Sequence, residues 1–366
     1  MKKIISAGHI CVDITPMFPS RETFSSLTEI LVPGQLIQMD GVSVHTGGSV
    51  ANTGLALKKL GCDVLLLGKI GDDSFGQMIR EIFARYGGEG LIVDPKVTTS
   101  YTVVLAVPGI DRLFLHAPGA NDTFVSADIS DTVWEDAALF HFGYPPLMKR
   151  MYEEEGRELV DMFQRAKAHG LATSLDLAAV DPRSPAGEAN WRGILEKVLP
   201  YVDFFVPSFE ELCLMLDEDR YKRLTSRGGD ITEGLDVMEE AGPLSDMILE
   251  MGARAALIKC GTSGMLYHTA GRESLQKIGT RVSLDPEAWA DYYGFQKCYQ
   301  AEVVRNTTGA GDVSIAAFLA GILAGKGVKE CAALAAAEGA WCVTTYDALS
   351  GIKPLEELEE WIRTRS

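Results

Sequence analysis

The stretch Asn306-Thr307-Thr308-Gly309-Ala310-Gly311-Asp312 follows a strand-like Ala301-Glu302-Val303-Val304 and runs directly into the apolar series Val313-Ser314-Ile315-Ala316-Ala317-Phe318-Leu319. Glycine has no Cβ, so Gly309 and Gly311 let backbone N–H groups turn toward a ligand, and a helix starting there adds its positive end. The stretch therefore predicts an anion hole at the start of a helix over Gly311 to Ala324. That helix is apolar on almost every face, which predicts burial and a terminal charge poorly screened by water. Asp312 falls in its first turn. A carboxylate there repels a phosphate, but it can take the proton from a hydroxyl that attacks phosphorus. On spacing alone, Asp312 is equally well a residue capping its own helix.

On both sides of this stretch, apolar strand-like runs alternate with amphipathic or buried helical runs, the pattern of a mostly parallel sheet covered by helices. Strands are predicted at Lys3 to Cys11, Val64 to Ile70, Ala138 to Phe142, Leu171 to Leu177, Tyr201 to Val206 and Ala255 to Cys260. Helices are predicted at Ser49 to Leu60, Ser74 to Tyr86, Glu153 to Ala168, Glu210 to Leu216, Leu244 to Met251, Gly311 to Ala324 and Lys329 to Val343. The fold class is α/β. Two segments break the rhythm. Ile30 to His45 and Thr99 to His116 become short, β-rich and turn-punctuated, and read as hairpins standing outside the parallel sheet. Such hairpins need cover for their apolar faces, so they are expected to pair into a small separate sheet that closes over a ligand or a second subunit. The alternative places them at the edge of the main sheet. The acidic runs Glu153-Glu154-Glu155 and Glu356 to Glu360 read as solvated helix faces.

Composition narrows the function. The 366 residues contain 46% hydrophobic and 23% charged residues, an ordinary globular balance with enough apolar mass for one large core carrying insertions. Lys plus Arg is 34 against 51 Asp plus Glu, a net charge of −17, which argues against nucleic acid and anionic membrane surfaces as partners. Apolar runs such as Val313 to Gly325 stop short of the roughly 20 residues that cross a bilayer. Gly8, His9 and Asp13 interrupt the N-terminal apolar run before it reads as a signal sequence. The seven cysteines form no C-x-x-C pair and are odd in number, as expected of free thiols in a reducing cytoplasm.

Further candidates follow from local chemistry. Gly47-Gly48-Ser49-Val50-Ala51-Asn52 is a second glycine turn leading into a helix; it permits close approach of a small polar ligand, and Asn52 offers both a donor and an acceptor. Read alone it is a tight turn with Ser49 as the cap. Asp13 ends the first strand, where it can hold a pair of hydroxyls or simply make a turn. Asp176 ends another strand, on the side where open α/β sheets bind ligands. No P-loop, complete dinucleotide fingerprint, nucleophile elbow or zinc-protease motif occurs, and the six histidines show no metal-ligand spacing.

Taken together in this order, Gly47-Gly48…Asn52 and Thr307-Thr308-Gly309-Ala310-Gly311-Asp312 resemble the ribokinase-like carbohydrate kinases, the PfkB family. Gly71-Asp72-Asp73-Ser74-Phe75-Gly76, Pro207-Ser208-Phe209-Glu210-Glu211 and Gly261-Thr262-Ser263-Gly264 extend the match over nearly the whole chain. The resemblance implies a single domain over 1–366, a doubly wound sheet flanked by helices, with a β-sheet lid from insertions near 14–45 and 98–118. It also implies phosphorylation of a hydroxyl on a sugar, sugar derivative or nucleoside, with ATP and Mg²⁺. Asp312 matches the family's catalytic base and Gly309, Ala310 and Gly311 its anion hole. Asp13, Gly47, Gly48 and Asn52 match substrate-holding positions, Gly261, Gly264 and Thr308 nucleotide positions, and Glu211 the residue that holds magnesium through water. Ser208 replaces the family's usual Asn, a weaker metal partner. Asn306 replaces an Asp that helps bind a monovalent cation in several relatives, which argues against potassium activation.

A competing reading, motivated by the same two departures, is a sugar or nucleotide sensor that has lost transfer. The insertion over 281–300, with Trp289, Tyr292, Tyr293, Phe295 and Tyr299, is expected to pack onto its own core. Arg183 and Arg112 are candidate cations for a sugar acid, Arg112 being expected to lie exposed at the turn Gly109-Ile110-Asp111. A homodimer through the lid is expected from its apolar hairpins.

Overall fold

Side chains of neighbouring residues in a strand point to opposite faces, so a sheet buried on both faces needs strands that are apolar at every position. The central strands meet that demand. Ile4, Leu139, Phe204 and Leu257 pack into one hydrophobic core, and their neighbours Ile5, Phe140, Phe205 and Ile258 into another. The computed structural model describes residues 2–19, 23–87, 90–110, 112–345 and 347–365.

The strands in chain order are β1 (Lys3–Gly8), β2 (Cys11–Met17), β3 (Gly41–Gly47), β4 (Asp63–Leu67), β5 (Lys69–Gly71), β6 (Ile92–Asp94), β7 (Tyr101–Leu105), β8 (Leu113–Ala117), β9 (Ala137–Gly143), β10 (Ala172–Leu175), β11 (Phe204–Phe205), β12 (Ala255–Lys259), β13 (Met265–Thr269) and β14 (Tyr293–Gln296). The main sheet has the order β14-β13-β12-β11-β10-β9-β1-β4. From β12 to β4 all neighbours are parallel; β13 and β14 are added antiparallel. The helices Ser49–Lys59, Ala310–Leu323, Val328–Cys342 and Leu355–Arg363 cover one face, and Arg157–Ala168, Trp191–Val198, Phe209–Leu216 and Val237–Glu250 the other. This is the α/β doubly wound architecture expected. No helix among the described residues is long and apolar enough to cross a membrane.

A separate four-stranded sheet has the order β3-β2-β7-β8, as the β-rich segments predict, but its pairing differs from two local hairpins. β3 pairs with β2, from Cys11 opposite Gly47 to Met17 opposite Gly41, so the first pair is closed by a long connection, and Ile30 has no strand partner among the described residues. The second segment is a hairpin, β7 with β8; Asp111 of its expected turn lies outside the described residues. The predicted strand Lys3 to Cys11 breaks at Gly8, whose φ of +127° only glycine adopts freely. A Cβ there would strike the Gly143 carbonyl, and the break lets the chain leave the main sheet and enter the small one.

Other boundaries also move. Val64 to Ile70 divides into β4 and β5. The Glu153 to Ala168 helix begins only at Arg157, because Glu154 and Glu155 adopt left-handed φ of 49° and 57°. Ala301 to Val304 is not a strand: Val303 and Val304 are exposed and have no ladder partner, since the sheet ends at β14. Of the 281–300 segment, Trp289 packs into the core as expected and Tyr292 and Tyr299 are half-buried against it, whereas Tyr293 and Phe295 on β14 are 47% and 37% exposed. Trp289 is buried between Phe204 and Phe318, with ring centroids 5.8 and 6.2 Å away, and its indole N–H donates to the Lys326 carbonyl at 3.1 Å. Truncating it leaves a cavity and removes the indole donor from a carbonyl that, among the described residues, the Cys331 thiol alone then approaches, at 3.8 Å. Trp289→Ala is expected to lower unfolding free energy by about 3–5 kcal/mol, measured by denaturant titration.

Candidate active site

The C-terminal ends of β9 to β12 all open on one crevice, where Tyr144, Asp176, Ser208 and Lys259 are the residues that end or follow the strands. Two helix N-termini point into the same place. The Ser49–Lys59 helix starts after Gly48 (φ +86°), which lies so close to His9 that a side chain would collide with it. The Ala310–Leu323 helix starts after Gly309 (φ +81°), and no side chain caps it. Of its first amides, Ala310 N–H donates to the Thr307 carbonyl at 3.3 Å, and the Gly311 and Asp312 amides have no hydrogen bond among the described residues and are left for a ligand.

Asp312 sits in that first turn at 5% exposure. Asn52 Nδ2 donates to Oδ2 at 3.0 Å and Thr53 Oγ1 to Oδ1 at 3.2 Å, while the Tyr144 hydroxyl lies 2.8 and 2.7 Å from the two oxygens. These contacts dispose of the alternative in which Asp312 caps its own helix. They join the N-terminal glycine turn to the C-terminal anion motif. Burial pushes the Asp312 carboxyl above its ordinary pKa, opposed by the Tyr144 hydrogen bond and the Lys259 charge. Tyr144 is itself left-handed (φ 66°, ψ 40°), an uncommon state for a bulky residue that the flanking structure must hold. Burial, then the charges of Asp312 and Asp176, push its phenol far above the usual value, so it is a hydrogen-bond donor here.

The anion loop is pinned from several sides. Asn306 Oδ1 accepts from the Thr308 N–H at 2.9 Å and from Arg112 Nη2 at 2.6 Å, and Arg305 N–H donates to the Val343 carbonyl at 2.7 Å. Arg112 is thus half-buried and reaches from the small sheet to the anion loop, contrary to the exposed position expected. Arg183 is the surface residue: it pairs with Asp181 and is 89% exposed. Asp176 is buried and accepts from Lys259 Nζ at 2.7 Å. Burial raises its carboxyl, Lys259 opposes the rise, and Glu211 and Asp312 add to it.

Asp13 lies on β2 opposite His45 and beside Thr102. Its carboxyl is raised mainly by burial, partly offset by the Cys11 thiol at 3.3 Å, and the charge of Asp312 adds to the rise. Gly47 is pressed against this carboxylate, with no room for a side chain. His9 is buried, with neither ring nitrogen hydrogen-bonded among the described residues. Burial, with nearby His116, pushes its pKa down to about 3, so it stays neutral. Gly261 and Gly264 bracket the turn between β12 and β13 at φ of +53° and +111°. A side chain at Gly261 would strike Thr232, and one at Gly264 the Gln296 carbonyl and Phe295.

Ser208 and Glu211 form a reciprocal cap: Glu211 Oε2 accepts from the Ser208 N–H at 2.8 Å and Ser208 Oγ from the Glu211 N–H at 3.3 Å. The other Glu211 oxygen has no hydrogen bond among the described residues, and its charge is felt by Tyr144, Asp176 and Lys259. Among the described residues no group of three or more acidic, His or Cys side chains forms a metal cage. One carboxylate oxygen without a hydrogen bond among the described residues fits magnesium, which keeps most of its waters, better than it fits a cage-bound ion. Ser208 is committed to its helix.

Sequence reasoning missed Thr53, Tyr144, Lys259 and His9. Lys259 carried a usable signal, since it ends a strand on the same side as Asp176. Gly143-Tyr144-Pro145-Pro146 marks a turn but says nothing of its partner 168 residues away.

A sheet with helices on both faces, with polar side chains gathered at a strand-end crevice under two helix N-termini, defines a small-molecule α/β enzyme. The chain belongs to the pfkB family of carbohydrate kinases, whose family model matches residues 1–354. Fructokinase-2 of Oryza sativa subsp. japonica is 24% identical over 338 residues, covering 89% of this chain and 88% of that protein. Arabidopsis thaliana ribokinase complexed with ribose and ATP superposes with a TM-score of 0.72 at 19% identity, over 99% of this chain and 98% of that one. A putative ribokinase II from E. coli in complex with ATP and Mg²⁺ gives 0.71 at 20% identity, over 100% of both chains.

Tyr144→Phe deletes a hydrogen bond that lowers the Asp312 pKa. The carboxyl is then expected to titrate at higher pH, moving the acidic limb of the kcat/KM profile upward. A pH profile that does not move would separate Tyr144 from the ionisation of Asp312.

Proposed function

We propose that this sugar kinase transfers the γ-phosphoryl group of ATP to a hydroxyl of a sugar or sugar derivative, with Asp312 as general base. The carrying observation is a buried carboxylate in the first turn of an uncapped helix, fixed by Asn52, Thr53 and Tyr144. A carboxyl raised by burial is a better proton acceptor than an exposed one. The acceptor hydroxyl gives its proton to Asp312 as its oxygen attacks phosphorus. The Gly309, Ala310 and Gly311 amides stabilise the charge on the equatorial oxygens, a contribution of about 3–4 kcal/mol per well-placed donor.

Asp13, Gly47, Gly48 and Asn52 would hold the other substrate hydroxyls, Asp13 as acceptor and the glycines by allowing the sugar to approach the backbone. Asp176 closes the floor of the crevice. Thr308, Gly261 and Gly264 would line the nucleotide. Magnesium would supply charge neutralisation along the phosphates, held through water by Glu211, with Ser208 contributing only by orienting that carboxylate. Arg112 already brings positive charge to Asn306, which supports turnover without a monovalent cation. No cysteine forms a disulfide among the described residues, in keeping with a reducing, cytoplasmic setting.

An ADP-release screen over sugars, sugar acids and nucleosides, with and without K⁺, tests the reaction. Asp312→Asn is expected to lower kcat by roughly 10² or more while calorimetric sugar binding persists; full turnover in this variant would refute the assignment. A nucleoside as sole acceptor would make it a nucleoside kinase, and ligand-induced thermal shifts without ADP release would make it a sensor.

The small sheet is proposed as a lid over the crevice and as a dimer contact. Val42, Leu113 and Leu115, which the strand register places on the face opposite Asp13, are 57%, 37% and 52% exposed, a patch suited to a second copy of the chain. Sedimentation at micromolar concentration is expected to show a dimer that Leu113→Glu with Leu115→Glu dissociates. A wild-type monomer would overturn this part.

A further inference from the structure

Lys259 stands beside a helix N-terminus, where the helix dipole taken alone disfavours a lysine. A Cβ added to Gly311 would lie 3.8 Å from its Nζ, Cε and Cδ, so the terminal half of the side chain runs beside the first turn of the Ala310–Leu323 helix. Cations are stabilised at helix C-termini and destabilised at N-termini, where the free amides already carry positive charge. The ammonium is 12% exposed and donates to a single acceptor among the described residues, Asp176 Oδ1 at 2.7 Å. It has three donors, so the pair leaves donors unused. Glu211 and Asp312 also face it, and all three carboxylates favour its charged form.

A buried cation beside an anion hole, incompletely paired, is placed for an anion that comes and goes. We propose that Lys259 is a catalytic residue that clamps the transferring phosphoryl group, sharing it with the Gly309–Gly311 amides, while Asp176 is the positioning residue that holds the ammonium ready. The inference rests on the phosphotransfer reading above. No bond to Lys259 forms or breaks: its N–H donors exchange toward the phosphoryl oxygens as negative charge moves there, and Asp312 alone receives the substrate proton. The rival explanation is that Lys259 only neutralises Asp176. It predicts that removing both charges is harmless.

Two measurements decide between them. The first needs no sugar: calorimetric affinities of Mg·ADP and of Mg·AMP-PNP, which differ by the terminal phosphoryl group, for wild type and Lys259→Met. The clamp predicts that Lys259→Met weakens Mg·AMP-PNP by about tenfold and leaves Mg·ADP within about twofold; an unchanged ratio overturns it. The second uses an acceptor found by the ADP-release screen. Lys259→Met is expected to lose roughly 10² in kcat with little change in the sugar KM, Lys259→Arg to retain part of the rate, and Lys259→Met with Asp176→Asn to remain as slow as Lys259→Met. Recovery of kcat in that double variant overturns the clamp and establishes simple neutralisation. The double variant also removes the unpaired buried carboxylate that would make the single one hard to fold. If no acceptor is phosphorylated by wild type, the transfer reading fails while the nucleotide affinities still test Lys259.

Discussion

A carboxylate removed from water costs several kcal/mol unless other groups replace the lost hydration, and Asp312 is the residue on which this constraint bears. Its replacement shell comes from Asn52 and Thr53 in one helix and Tyr144 at the end of β9. None of these is near it in sequence. The core must bring the two helices side by side before the shell exists, and they do pack together. Site and fold are therefore one problem: the apolar faces that bury the Ala310–Leu323 helix also bury the acid at its tip.

The crevice has a deliberate imbalance. Asp176, Glu211 and Asp312 all act on one buried lysine, Lys259, and the charge of Asp312 raises the carboxyls of Asp13 and Asp176. Left alone, the acids are poorly compensated, and burial raises the carboxyls of Asp13, Asp176 and Asp312. A bound divalent cation and a phosphate chain alternate positive and negative charge in the way this arrangement lacks. The net charge of −17 describes the surface; the chemistry depends on a small region whose positive features are backbone dipoles that composition does not count.

The glycine motifs were legible because they encode backbone geometry locally. Gly48 and Gly309 do adopt positive φ at the entries to helices, and Asp312 and Asn52 do meet. The alternation of strands and helices gave the doubly wound class because buried parallel strands are continuous apolar runs. Tyr144 and Lys259 were not legible as partners, since each finds its role only after the sheet sets β9, β10 and β12 in register. Ala301 to Val304 misled through its β-branched residues, which without a neighbouring strand are simply exposed. β2 was missed because the predicted first strand stopped at Cys11, and periodicity does not reveal that Gly8 turns the chain from one sheet into another. Arg112 was read from a turn signal alone, and its partner Asn306 lies 194 residues on.

The connections between the two sheets have a mechanical meaning. β1 passes into β2 through only His9 and Ile10, and Ile10 is tied by both its backbone groups to the Asn121 side chain at 3.2 and 2.9 Å. β3 returns through Gly47 and Gly48 straight into a helix. Both attachments sit at one root beside Asp13, so the positions of Asp13, Gly47 and Gly48 are set by the core as much as by the small sheet, while at the far end that sheet reaches the core again through Arg112 and Asn306.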